Sequence, residues 1–180
     1  MHLSILLSSL LNIISTLSEL CEGFISERFQ STIFPYMSKL FESFLCEDKR
    51  KNLGRISLYS KEDEHILKSL LVCINRVFST TGNELAAMVS IVGSIILPFV
   101  GLDGDVGDTA MEAMKALVKV DSDCLWRALL RASGINIPSR HLLPINNCNI
   151  NIRTTQTHME KRCLQIVRFV KDLPEPNILY

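Results

Sequence analysis

The chain has 180 residues, 47% hydrophobic and 21% charged, and its 19 basic and 19 acidic side chains cancel to a formal net charge of zero. That length suits one domain or part of a larger one, and so apolar a chain is not generally disordered. Zero net charge gives no bulk electrostatic drive toward nucleic acid, and 7% aromatics beside a mean hydropathy of +0.23 imply an interior of Leu, Ile and Val.

Residues 3–30 read as one or two helices, with Gly23 as a break. The stripe Leu3, Leu6, Leu7, Leu10, Leu11, Ile14 and Leu17 recurs at helical spacing and predicts a buried amphipathic face. A signal-peptide reading is disfavoured because only His2 stands where a basic n-region belongs. Residues 33–46 carry Ile33, Phe34, Met37, Leu40, Phe41, Phe44 and Leu45 at three-four spacing, with Pro35 suited to a first helical turn. A charged loop is predicted from Glu47 to Arg55.

Residues 60–79 give the clearest amphipathic helix, with Ser60 and Asp63 spaced to cap it. Thr80 to Gly82 reads as a turn, and residues 83–99 as an apolar helix. The stretch Leu85 to Leu102 has no charge and is long enough to be a membrane candidate. It has no Trp, Tyr, Lys or Arg to mark an interface, so a buried core helix is the favoured reading.

Gly101 to Gly107 breaks the pattern, and Thr109 with Glu112 has capping-box spacing. The helix over 106–120 continues through Ala113, Leu117 and Val118, and Asp121 with Ser122 punctuates it. A short helix over 123–132 turns Leu125, Trp126, Leu129 and Leu130 inward, with Trp126 expected in the core. Residues 133–157 form a long loop with Pro138, Pro144 and an Asn-rich stretch. The aliphatics Ile135 to Ile145 are expected to dock on the helices, and Asn146 to Asn151 to remain mobile. A helix over 158–171 precedes Pro174 and Pro176.

Period-two alternation is not sustained anywhere, so the expected fold is all-α. Pairing 3–30 with 33–46, 60–79 with 83–99 and 106–120 with 123–132 suggests an α-solenoid of HEAT-like antiparallel helix pairs. The expected organisation is repeats over 1–132, a loop over 133–157 and a C-terminal helix and tail over 158–180.

Six cysteines occur without a C-x-x-C, which points to reduced, buried thiols rather than a zinc site or disulfide framework. Asp103-Gly-Asp-Val-Gly-Asp108 invites a calcium reading, but an EF-hand register from Asp103 puts Asp108 where Gly is required and Met114 where Glu is required. Helix capping by Asp105, Asp108 or Thr109 is favoured instead. No nucleophile elbow, P-loop or dinucleotide fingerprint appears, and the four histidines include no H-E-x-x-H, so no catalytic, cofactor or metal residue is expected. From Asp121 onward eight Lys/Arg face five Asp/Glu. Arg127, Arg131, Arg140 and Arg153 are the candidate contacts for an acidic partner protein; a solvated face is the alternative.

Two stretches resemble a known family. Gly23-Phe-Ile-Ser-Glu-Arg-Phe-Gln-Ser-Thr-Ile-Phe-Pro-Tyr-Met-Ser-Lys-Leu40 is similar to a helix pair near the C-terminus of the Tel-two-interacting-protein-one family. Ala110-Met-Glu-Ala-Met-Lys-Ala-Leu-Val-Lys-Val-Asp-Ser-Asp-Cys-Leu-Trp-Arg-Ala-Leu-Leu130 resembles the close of its last repeat. Family members are longer HEAT-repeat solenoids, so the resemblance implies that Met1 begins inside the solenoid. It also implies a non-catalytic scaffold working with the other helical-repeat subunits of the Triple-T complex and the Hsp90 machinery. The clients would be phosphatidylinositol-3-kinase-related kinases. A cytoplasmic or nuclear location is expected separately, from the cysteine usage and the absence of any N-x-[ST] sequon. A small membrane-associated helical protein is the competing expectation.

Overall fold

The computed structural model describes residues 2–51, 60–100, 102 and 104–126, and every regular element among them is helical. In chain order these are α1 (His2–Leu20), α2 (Glu22–Arg28), a π-helical turn (Phe29–Ile33), α3 (Phe34–Lys51), α4 (Lys61–Thr81), a 3-10 segment (Gly82–Met88), α5 (Val89–Val100) and α6 (Asp105–Val120). A further helix opens at residues 122–126. The 133–157 loop, the 158–171 helix and the inward placement of Leu129 and Leu130 lie outside the described residues.

Several boundaries differ from the sequence reading. The first break falls at Cys21, whose non-helical backbone (φ −140°, ψ 60°) ends α1, while Gly23 stays helical. The second helical stretch therefore begins at Glu22, and it runs on through Pro35 without the gap expected between residues 30 and 33. Proline lacks the N–H that an α-helix would use there. The π turn just ahead absorbs the mismatch, and the Phe34 N–H reaches back five residues to the Phe29 carbonyl. The backbone of α3 also continues to Lys51, through part of the predicted 47–55 loop.

At α4 the expected cap forms. The Ser60 hydroxyl accepts from the Asp63 N–H at 3.1 Å, and the Asp63 carboxylate accepts from the Ser60 N–H at 3.3 Å. The cap expected at Thr109 does not form. Gly104, at φ 85°, is the N-cap residue instead, so α6 starts at Asp105, one residue ahead of the expected 106–120 helix and five ahead of the start that a Thr109 cap would give. Thr109 then lies inside the helix and donates to the Asp105 carbonyl at 2.6 Å, and Glu112 pairs with Lys115 instead. No side chain caps α6; Asp105 and Asp108 stand in its first turn, where the helix dipole favours them. Asp121 caps the following helix, accepting from the Cys124 N–H at 2.8 Å.

Contacts fix the direction of each helix. Ser8 meets His65 and Ser69, and Asn12 meets Arg76, so α1 and α4 run parallel. Lys68 meets Asp105 and Gly82 faces Val120, so α4 and α6 also run parallel. Gly93 of α5 lies beside Leu117 of α6, and residues 101–104 join Val100 to Asp105. The chain must therefore turn back within the 3-10 segment, leaving α5 antiparallel to α4 and α6. Contacts of Ser26 with Glu84, Phe29 with Phe78 and Phe41 with Phe99 set α2 and α3 alongside the descending course of α5. One row thus holds α1, α4 and α6, and a second, antiparallel row holds α2–α3, α5 and the helix that opens at residue 122. Close packing runs mainly along the first row and between α5 and α6.

The core lies between the rows. Leu67, Leu70, Leu71, Ile74, Val77 and Phe78 of α4 are fully buried, because α4 is flanked on both sides. Phe29 and Phe78 meet edge-on at 6.2 Å, and Phe41 packs on Phe99 at 5.5 Å, tying the second row to the first and to itself. Leu125 is buried against Gly93, where a Cβ would overlap it, and Trp126 is 9% exposed, in agreement with its expected core position.

The predicted buried stripe of α1 is only partly inward. Leu11 is buried and Leu7 and Ile14 pack at the core edge, whereas Leu6, Leu10 and Leu17 are exposed. The face toward α4 is instead made of Ser4, Ser8, Leu11, Ser15 and Ser18. Small side chains let α1 approach α4 closely, and the two most buried hydroxyls are satisfied on α1 itself: Ser15 donates to the Leu11 carbonyl at 2.9 Å and Ser18 to the Ser15 carbonyl at 2.7 Å.

Candidate functional site

The residues picked out for partner binding, Arg127, Arg131, Arg140 and Arg153, all lie outside the described residues, so they stay a reading of the sequence. Two hollows lined by described residues are candidates for a site. The first, of about 300 Å³, follows the seam between α1 and α4 and is lined by Ser8, Asn12, His65, Lys68 and Ser69, over Leu11 and Val72. The second, of about 400 Å³, lies at the corner where α4 turns into α5, with Thr80, Asn83, Glu84 and Lys119 on its wall.

In the first hollow the Ser8 hydroxyl lies 3.1 Å from His65 Nδ1 and 3.0 Å from the Ser69 hydroxyl. Arg76 donates to the Asn12 side-chain carbonyl at 3.2 Å. Lys68 Nζ reaches Asp105 Oδ2 at 2.7 Å and holds that carboxyl below the usual carboxylate range, by hydrogen bond first and charge second. These side chains bridge α1 to α4 and α4 to α6, so the polar rim reinforces the row that the apolar core builds. The Ser8–His65 contact, invisible in a sequence that separates its members by 57 positions, has the residue types of a nucleophile and base. Ser8 sits in mid-helix, where the surrounding backbone N–H groups are spent on helical bonds rather than gathered as oxyanion donors.

The buried thiol of Cys73 sits behind this hollow with the Ser15 hydroxyl as its hydrogen-bond partner. Burial pushes its pKa up from 9.0 to about 11, so it is held as the thiol, which is neither nucleophile nor metal ligand. Among the described residues no three His, Cys, Asp or Glu side chains gather as a metal site. The Asp103–Asp108 segment spends Asp105 on Lys68 and starts a helix.

Among the described residues one helical run, Lys61–Val100, is long and apolar enough to cross a membrane by length and composition. It contains the reversal at Gly82–Met88, and its apolar face, Val89, Val92, Ile96, Phe99 and Val100, is covered by protein.

Compared with models of known protein families, with curated proteins and with solved structures, the chain matches none.

Proposed function

We propose that the chain is a non-catalytic helical-repeat scaffold: an α-solenoid of HEAT-like antiparallel pairs, α1 with α2–α3, α4 with α5, and α6 with the helix opening at residue 122. The observation that carries this reading is the pair of rows. Helices α1, α4 and α6 run parallel, and their partners return alongside one another, as expected when one two-helix unit is stacked repeatedly. In such a stack function resides in extended surfaces rather than in a closed catalytic pocket, and both hollows are open and superficial in keeping with this.

The family resemblance of Gly23–Leu40 and Ala110–Leu130 gives the scaffold its direction: the C-terminal region of a Triple-T complex subunit that works with Hsp90 in maturing phosphatidylinositol-3-kinase-related kinases. Its partners would be the complex's other helical-repeat subunits. Affinity capture of the tagged full chain followed by mass spectrometry tests this. Recovery of those subunits supports it, and a capture that enriches none of them removes the co-chaperone reading while leaving the repeat architecture to be judged separately.

The second reading is a membrane-associated helical protein. The hydropathy of Lys61–Val100 favours it, and flotation of the chain with phospholipid vesicles would support it.

A further inference from the structure

In the hollow between α1 and α4 the hydrogen bonds have directions that can be worked out. The Ser69 hydroxyl donates its one proton to the His65 carbonyl at 2.9 Å, so at 3.0 Å it accepts from Ser8. Ser8 has then spent its own proton, and its 3.1 Å contact with His65 is donated by the ring, which carries a hydrogen on Nδ1. Arginine only donates, so the 3.2 Å contact from Arg76 holds the Asn12 side-chain oxygen toward the guanidinium and leaves the amide NH2 directed away from it. No hydroxyl proton of Ser8 or Ser69 is left over. The groups still unspent are N–H donors. The Asn12 NH2 has no acceptor among the described residues, and Arg76 gives one N–H to Asn12 and has no carboxylate partner among them. Lys68 gives one N–H to Asp105 at 2.7 Å and keeps two.

We propose that this hollow binds a phosphate group, seated over Val72 and held by Lys68, Asn12 and Arg76. Position comes first. Val72 lies on the floor of the hollow, and Lys68 and Arg76 stand one helical turn before and after it, each about 6 Å along α4. Both long side chains reach a group above Val72, and Asn12 meets it from α1. Charge comes second. Lys68 and Arg76 are both cations, and Asp105 offsets only the first. The acidic residues Glu62, Asp63 and Glu64 are confined to the first turn of α4, and Val72 is about 12 Å beyond the last of them. Donor geometry comes third. N–H groups arriving from three side chains on two helices suit the several oxygens of a tetrahedral phosphate better than a planar carboxylate, which a single guanidinium fork satisfies. A volume of about 300 Å³ holds a phosphate with a short substituent, and the open side lets a longer one leave. Inorganic phosphate and a phosphorylated side chain of another protein share this chemistry. The inference is independent of the co-chaperone reading.

Calorimetric titration of the full chain with inorganic phosphate, at fixed ionic strength in chloride, tests it. The expected result is saturation of one site with a dissociation constant on the order of millimolar. Asn12→Asp is the decisive variant. Its carboxylate still accepts from Arg76, so the bridge between α1 and α4 is kept, but the NH2 donors are replaced by a negative charge. Phosphate binding should weaken by roughly 10-fold or more, with an unchanged thermal melt by circular dichroism. Arg76→Gln, which can still donate to Asn12, should weaken it by about as much. Lys115→Gln removes a cation that pairs with Glu112 on α6 and should change nothing. Acetate should bind at least about 10-fold more weakly than phosphate. A short peptide carrying phosphoserine identifies the source: tighter binding than inorganic phosphate assigns the site to a phosphorylated partner, and equal or weaker binding assigns it to free phosphate. No saturable binding of either probe, binding that survives Asn12→Asp, or acetate binding as tight as phosphate overturns the proposal.

Discussion

Phe78→Ala is the sharpest test of the two-row arrangement. Phe78 is at the end of α4, 1% exposed, and its ring meets Phe29 at 6.2 Å and 84°. Truncating a buried Phe removes its transfer free energy and leaves a cavity, about 3–5 kcal/mol in all. An edge-on ring pair contributes about 0.5–1.5 kcal/mol of that. Marginal stabilities are about 5–15 kcal/mol, so the variant should unfold at markedly lower denaturant. Phe78→Leu keeps most of the volume and should cost under about 2 kcal/mol. Urea melts followed by circular dichroism and by emission of the lone Trp126 check this. Trp126 belongs to the third helix pair, so both signals should shift together if the rows are continuous. The double variant Phe29→Ala/Phe78→Ala should cost less than the sum of the singles by about 0.5–1.5 kcal/mol. A loss below about 1 kcal/mol for Phe78→Ala would mean that the ring is not in a packed core.

Ser60→Ala should cost about 1 kcal/mol by removing one arm of the α4 capping box, and an unchanged melt would show that water replaces the cap without penalty. Gly93→Ala should destabilise by about 1–3 kcal/mol, because the new methyl displaces the buried Leu125 and this exceeds the helix-propensity gain of about 1 kcal/mol; a variant more stable than the parent would place the two helices farther apart. The Cys73 thiol titrates near 9.0 when unfolded and near 11 when folded, so the native state holds its proton longer. Its contribution to stability is complete below pH 9 and is lost as pH rises toward 11, by an amount on the order of 2–3 kcal/mol. A Cys73→Ala chain should lack that part of the alkaline decline, and identical pH profiles for the two chains would refute the burial.

Helical character was legible because three-four apolar spacing is a local property: 60–79 carries it, with Ser60 and Asp63 marking its start, and both were found close to where they were read. Breaks were less legible. Gly23 and Pro35 are common helix punctuation, yet the chain stays helical at both, because the non-helical residue is Cys21 and a π turn accommodates the proline. Gly104, one of eight glycines, was the residue able to move the start of α6, and only its positive φ distinguishes it from Gly107, which is buried in the helix. The Ser8–His65–Ser69 cluster had no local signal, because it forms only when two helices far apart in sequence are set side by side.

Composition and periodicity by themselves determined an all-helical chain with a Leu, Ile and Val interior, since each helix needs only its own sequence to place an apolar stripe. They did not determine which stripe is covered. In α1 the leucines promised the buried face, but the tertiary structure turned the serines inward. A close approach to α4 fills space with small side chains whose hydroxyls bond back to α1 at Ser15 and Ser18 and across to α4 at Ser8, and burying leucines there would hold the helices apart. Burial is decided by the neighbour as well as by the helix. The direction and order of the rows, and the exposure of Leu6, Leu10 and Leu17 on α1, exist only once α1, α4 and α6 are assembled.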